Sequence, residues 1–121
     1  MDAKGYRRKI ISDMKAIGTY RPEFEKTINN LAKIYVDMDT AREQFEKSGG
    51  SLIVKHTNKS GATNWVKNPF YLVIEGLQNN ILQYNRELGL TPAGLRKIKG
   101  DVSTGENKPK GLAAVLMNLE S

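Results

Sequence analysis

NPFYLVIEGLQNNILQYNRELG, residues 68–89, is the stretch on which the fold turns. Asn68 is a preferred helix cap, and Pro69 suits a first helical position, where its missing N–H removes no bond. Phe70, Ile74, Leu77, Ile81, Tyr84 and Leu88 then recur at spacings of 4, 3, 4, 3 and 4, a heptad stripe down one helix face. Gly89 supplies the left-handed backbone with which helices end. Thr91-Pro92 offers a new cap and first position, predicting a short turn of helix over residues 93–98.

Working toward the N-terminus, a second stripe precedes the first. It opens at Arg21-Pro22, with Glu23 and Glu25 where the helix dipole favours negative charge. Phe24, Ile28, Leu31, Tyr35, Met38, Arg42 and Phe45 follow at spacings of 4, 3, 4, 3, 4 and 3, and Arg42 alone breaks the apolar seam. Ser48-Gly49-Gly50 ends the run. Between the two helices, Leu52-Ile53-Val54 and Thr63 to Val66 are strand-like and Asn58 to Gly61 is rich in turn formers, so residues 51–67 predict a β-hairpin.

The expected fold is therefore mainly α: an antiparallel helical hairpin with a small inserted β-hairpin and short flanking helices. Residues 1–20 form a basic N-terminal helical segment, residues 21–98 the helical core, and residues 99–121 a flexible linker and short C-terminal helix. The linker is read from the polar, turn-rich run Gly100 to Gly111, and the terminal helix from Leu112, Val115, Leu116 and Leu119 on one face. Two helices seldom enclose a core, so a homo-oligomer is expected, with Phe24, Ile28, Leu31, Tyr35, Met38, Phe45, Phe70, Ile74, Leu77, Ile81 and Tyr84 as its apolar core. Arg42 is a candidate for an ion pair between subunits with Glu43 or Glu46.

Composition narrows the chemistry. The chain has 121 residues and a mass of 13.5 kDa, room for one domain. Nineteen Lys and Arg oppose thirteen Asp and Glu, giving a net charge of +6 that biases the protein toward polyanions. The charge is uneven: residues 51–67 hold three basic side chains and no acid, while residues 68–85 hold only Glu75. With no cysteine, disulfides, thiolate metal sites and cysteine nucleophiles are excluded. A single histidine, His56, excludes clusters built on several imidazoles, and its place beside Lys55 reads as a surface or phosphate-facing position. Asp37 and Asp39 point to different faces of a helix and read as solvated carboxylates rather than a metal pair. No phosphate-binding glycine motif occurs, so nucleotide-driven activity has no support, and no cofactor or metal is expected. No apolar run reaches the roughly 18 residues of a membrane span, and no signal peptide is evident, so a soluble chain without a membrane partner is expected. Trp65 is expected to cover the adjacent core, stacking on a base being the alternative.

Asn68-Pro69 through Asn85-Arg86-Glu87-Leu88-Gly89-Leu90-Thr91-Pro92-Ala93-Gly94-Leu95-Arg96-Lys97-Ile98 resembles the signature of the phage terminase small subunit family. There an NP-capped helix runs into an ELGLTP turn and a basic helix, and the likeness spans roughly residues 21–98. Where two serines and an arginine usually follow the proline, this chain has Ala93-Gly94-Leu95 before Arg96. The resemblance implies a non-enzymatic, ring-forming packaging protein of the host cytoplasm that binds phage double-stranded DNA and recruits or regulates the large ATPase and nuclease subunit. Candidate DNA contacts are, in order, Lys4, Arg7, Arg8 and Lys9, then Lys55, Lys59 and Lys67, then Arg96, Lys97 and Lys99. Leu112, Val115, Leu116 and Leu119 are the candidate docking segment for the large subunit. A small basic helical transcriptional regulator is the competing reading, and a scaffold without a nucleic-acid role a third.

Overall fold

A computed structural model describes residues 1–107. Helix α1 (Ala3–Ile17) starts at Asp2, whose carboxylate accepts the Gly5 N–H at 2.8 Å, and stops at Gly18, left-handed at φ +77°. A 3-10 turn (Pro22–Phe24) leads into α2 (Glu25–Lys47), so the helix proper begins three residues after the predicted Pro22. Strands β1 (Ile53–Thr57) and β2 (Thr63–Lys67) pair antiparallel, with Ile53 opposite Lys67, Lys55 opposite Trp65 and Thr57 opposite Thr63. Helix α3 (Pro69–Glu87) is capped by Asn68, and α4 (Pro92–Asn107) follows the Leu88–Thr91 turn.

α2 and α3 run antiparallel, as the heptad stripes require. Phe45, late in α2, meets Tyr71, early in α3, with ring centroids 5.5 Å apart, whereas Tyr35 accepts a 3.1 Å hydrogen bond from Asn85 near the α3 C-terminus. Burial concentrates in two clusters. Ile10, Met14, Ile28, Leu31, Ala32 and Leu88 join α1 to α2 and the end of α3, and Met38, Ala41 and Ile74 fill the half nearer the hairpin. Phe24, Tyr35, Phe45, Leu77, Ile81 and Tyr84 are half-buried against these clusters, while Phe70 is 40% exposed.

Arg42 does not lie in the seam: it is exposed, and Ala41 is buried instead. Spacings of 3 and 4 lead from Met38 to Phe45 through Ala41 as well as through Arg42, and the seam takes the alanine, leaving the guanidinium, about 100° further round the helix, in water.

The linker predicted from residue 99 is also corrected, because α4 continues through Asn107. Its start is anchored by contacts that sequence spacing does not reveal. Thr91 caps it, its hydroxyl accepting the Gly94 N–H at 3.0 Å. Gly94 is buried where α4 crosses the end of α3: a Cβ there would run into the Arg86 carbonyl oxygen and lie 2.8 Å from its carbon. The absence of a side chain is what lets the two backbones approach this closely. Residues 108–121, which include Leu112, Val115, Leu116 and Leu119, lie outside the described residues.

Candidate nucleic-acid interface

The three basic blocks fold to different places and meet different partners. In α1, Arg7 pairs with Glu25 at 2.6 Å and Lys9 with Asp13 at 3.2 Å, four residues on, so two of the four cations ranked first are already matched by acids. Lys4 and Arg8 are exposed. The Glu25 carboxylate also accepts the Tyr20 hydroxyl, and these two hydrogen bonds, Tyr20's first, hold its pKa below the usual carboxylate value while raising that of Tyr20. Arg7 thus clamps α1 to the first turn of α2. Tyr6 strengthens the same junction, stacking on Tyr35 at 5.0 Å between centroids and donating its hydroxyl to Asp39, a bond that raises the Tyr6 pKa.

The hairpin differs. It connects the end of α2 with the start of α3 and stands off the bundle, every residue of both strands being exposed except the half-buried Val54. Trp65 is 68% exposed and does not cover the core, contrary to expectation, because the strand that carries it projects away from the helices. Instead the Lys55 ammonium sits 5.4 Å from the Trp65 ring centroid, a cation–π contact across the directly opposed pair. His56, opposite Asn64, is exposed on the other face, and Lys59 is exposed in the loop at the tip. That loop is ordered by Asn58, whose side-chain oxygen accepts from the Ser60 and Ala62 N–H groups at 3.0 Å each. Lys67 at the root pairs with Glu75 at 3.1 Å.

At the opposite end of the bundle, Arg96 and Lys97 are exposed on α4, and the Lys99 ammonium donates to the Ile17 carbonyl at the end of α1. Lys99 therefore acts as a strap between α4 and α1 through a helix C-terminus, where a cation is favoured. With α2 spanning about 35 Å, the hairpin and α4 lie far apart. The candidate cations thus form no single patch. Lys55 and Lys59 sit on a projecting ribbon, Lys4 and Arg8 on α1, and Arg96 and Lys97 on α4.

Sequence reasoning does not anticipate Asn68 as more than a cap. It is buried, its oxygen accepts the Phe70 N–H at 3.0 Å, and its amide donates to the Ser48 hydroxyl at 3.1 Å and the Ser51 carbonyl at 2.9 Å. One side chain therefore joins the end of α2, the hairpin root and the start of α3. Among the described residues no group of three or more His, Cys, Asp or Glu is placed to hold a metal ion, and no helix is long and apolar enough to cross a membrane.

A family model described as phage terminase, small subunit, matches residues 3–103, taking in α1, the helical hairpin, the β-ribbon and most of α4. The chain belongs to the phage terminase small subunit family. No curated protein and no solved structure matches it. For a terminase small subunit, a phage packaging role follows from membership, and the matched span extends beyond the NP-helix and ELGLTP signature to the clamp between α1 and α2.

Proposed function

We propose that this terminase small subunit is the non-catalytic DNA-recognition adaptor of a packaging machine, acting in the host cytoplasm. In this reading it assembles as a homo-oligomeric ring, binds phage double-stranded DNA, and recruits or regulates the large subunit that supplies ATPase and nuclease activity. Family membership over residues 3–103 is the observation that carries it.

The hairpin is the leading DNA contact, ahead of α1. Residues 51–67 contain no acid, and Lys55 and Lys59 project from a ribbon narrow enough to approach a groove or run beside the phosphates. Lys4 and Arg8 come second and Arg96 and Lys97 third. Arg7, Lys9, Lys67 and Lys99 contribute less, because binding phosphate means giving up a partner already held. Leu112, Val115, Leu116 and Leu119 are proposed to dock on the large subunit.

Duplex binding measured by fluorescence anisotropy at several salt concentrations tests the DNA assignment. The double variant Lys55→Ala and Lys59→Ala is expected to weaken binding and to reduce the slope of log K against log salt by about two, one for each phosphate no longer neutralised. An unchanged slope and affinity would remove the hairpin from the interface, and no binding by the wild-type chain at low salt would remove the DNA-adaptor reading. Deleting residues 111–121 is expected to leave DNA binding intact and abolish co-purification with the large subunit. Retained co-purification would disprove the docking role.

A further inference from the structure

The side of the ribbon that carries Trp65 is built from alternate cross-strand pairs. Ile53 opposite Lys67, Lys55 opposite Trp65 and Thr57 opposite Thr63 fall on one face of the two strands, and each of these residues is exposed. Val54, half-buried, and its partner Val66 belong to the other face. At the root Lys67 reaches Glu75 on α3, and beyond it the Trp65 face stands clear of the helices.

Trp65 occupies the middle pair. Its 68% exposure is unusual for a large aromatic side chain, which is ordinarily well buried. Its surroundings are not those of an apolar core. The Lys55 ammonium lies over the ring, 5.4 Å from the centroid. Lys67 and Thr63 follow two residues away in either direction along the strand, and the Thr63 and Thr57 hydroxyls are hydrogen-bonded to each other at 3.0 Å. No acid occurs anywhere in residues 51–67. A flat π surface therefore stands among cations and hydroxyls, the groups that meet phosphate. A nucleotide offers the matching pair, a flat ring joined to a phosphate.

We propose that Trp65 stacks on a nucleobase that has left its own stack, so that the ribbon favours DNA with an opened base step over uniform duplex. The inference rests on the ribbon being a DNA contact, as in the proposed function, and deepens it. Lysines that neutralise phosphates bind DNA without regard to its bases, whereas an aromatic ring needs a free base face. Bases stacked within a duplex present none, so the contact forms at a step opened by an inserted side chain or in an unpaired strand. A protein partner fits the face less well, because interfaces that are rich in tryptophan are depleted of lysine. Lys55 then serves the same nucleotide twice, bracing the indole from across the ribbon and meeting the phosphate.

Trp65 is the only tryptophan in the chain, so its fluorescence reports on this contact alone. The full chain is titrated with DNAs of one sequence: an intact duplex, the same duplex with a few unpaired bases at its centre, and a single strand. Affinity is read from the anisotropy of labelled DNA, and circular dichroism confirms folding. The opened duplex is expected to quench the indole and to bind several-fold tighter than the intact one. Quenching by the single strand alone would place the base in a melted strand rather than a distorted duplex. Trp65→Phe keeps a ring and is expected to retain the preference for opened DNA. Trp65→Val, still a good strand former, is expected to lose on the order of tenfold in affinity for opened DNA, with the salt slope unchanged because no phosphate contact is removed. A merely structural role for the indole would instead weaken binding to all the DNAs alike. That uniform loss, or an unquenched indole at saturating DNA, would overturn the stacking role and leave the ribbon lysines as phosphate contacts. A wild-type chain that binds none of these DNAs at low salt would overturn the DNA-adaptor reading as well.

Discussion

Replacing Gly94 by alanine isolates the crossing of α4 over α3. The new Cβ would overlap the Arg86 carbonyl oxygen and lie 2.8 and 2.9 Å from the Arg86 carbonyl carbon and Cα. These are backbone atoms inside a helical terminus, so no side-chain rotation relieves the clash and α4 must lift away from α3. Overpacking of this kind costs about 1–3 kcal/mol, and the better helix propensity of alanine returns up to about 1 kcal/mol. The expected net loss is about 1–2 kcal/mol, or a melting temperature lower by on the order of 5 °C. Thermal and urea unfolding followed by circular dichroism at low protein concentration measures it, with Gly76→Ala as the contrasting variant because its Cβ meets open space. A Gly94→Ala protein that melts at or above wild type would refute the close crossing and, with it, the account of how α4 is anchored.

Three further outcomes follow from the same geometry. Leu31→Ala empties a fully buried position in the cluster joining α1, α2 and α3 and is expected to cost about 2–5 kcal/mol, read from urea midpoints; a loss under about 1 kcal/mol would contradict its burial. Thr19 is buried with no hydrogen-bond partner for its hydroxyl within the described residues, so Thr19→Val is expected to stabilise the chain by about 1 kcal/mol, and destabilisation would point to a partner for that hydroxyl. Glu25 is held below its usual pKa by Tyr20 and Arg7, so its contribution to stability is full above the unfolded carboxylate value and fades as pH falls through the lowered folded value. Glu25→Gln is therefore expected to be less stable than wild type at pH 7, with the gap narrowing in an acid titration; a constant gap would show that ionisation of Glu25 is not what joins α1 to α2.

Elements whose causes are local are legible in the sequence, and those fixed by distant partners are not. The NP start of α3, the Ser48–Gly50 stop of α2 and the turn formers from Asn58 to Gly61 each act within a few residues, and the helices and ribbon lie where they point. The length of α4 is hidden because residues 100–107 lack apolar periodicity. Its anchors are the Gly94 crossing and the Lys99 strap, the latter joining residues 82 positions apart. The heptad count misplaces Arg42 because spacings of 3 and 4 between Met38 and Phe45 are met equally by Ala41 and Arg42, and only the cost of burying a charge decides between them. For the candidate site, the positions of charge are visible but not their neutralisation. Arg7 finds Glu25 at 18 residues' remove and Lys67 finds Glu75 at eight, and the first pairing, with that of Lys9 and Asp13, is why the proposed DNA contact is led by the ribbon rather than by α1.

Asn68 makes the ribbon a lever rather than a tether. With five-residue strands and a loop beyond them, the arm from Asn68 to Lys59 is about 20 Å long, at roughly 3.4 Å per strand residue. A tilt of about 10° at its root would carry the tip some 3.5 Å, close to the roughly 3.4 Å that one nucleotide advances along the axis of a DNA duplex. The hydrogen bonds from Asn68 to Ser48, Ser51 and Phe70 thus set the angular tolerance at the tip. If the ribbon binds DNA as proposed, loosening them would blur by one nucleotide the place where the arm lands, even with every lysine intact.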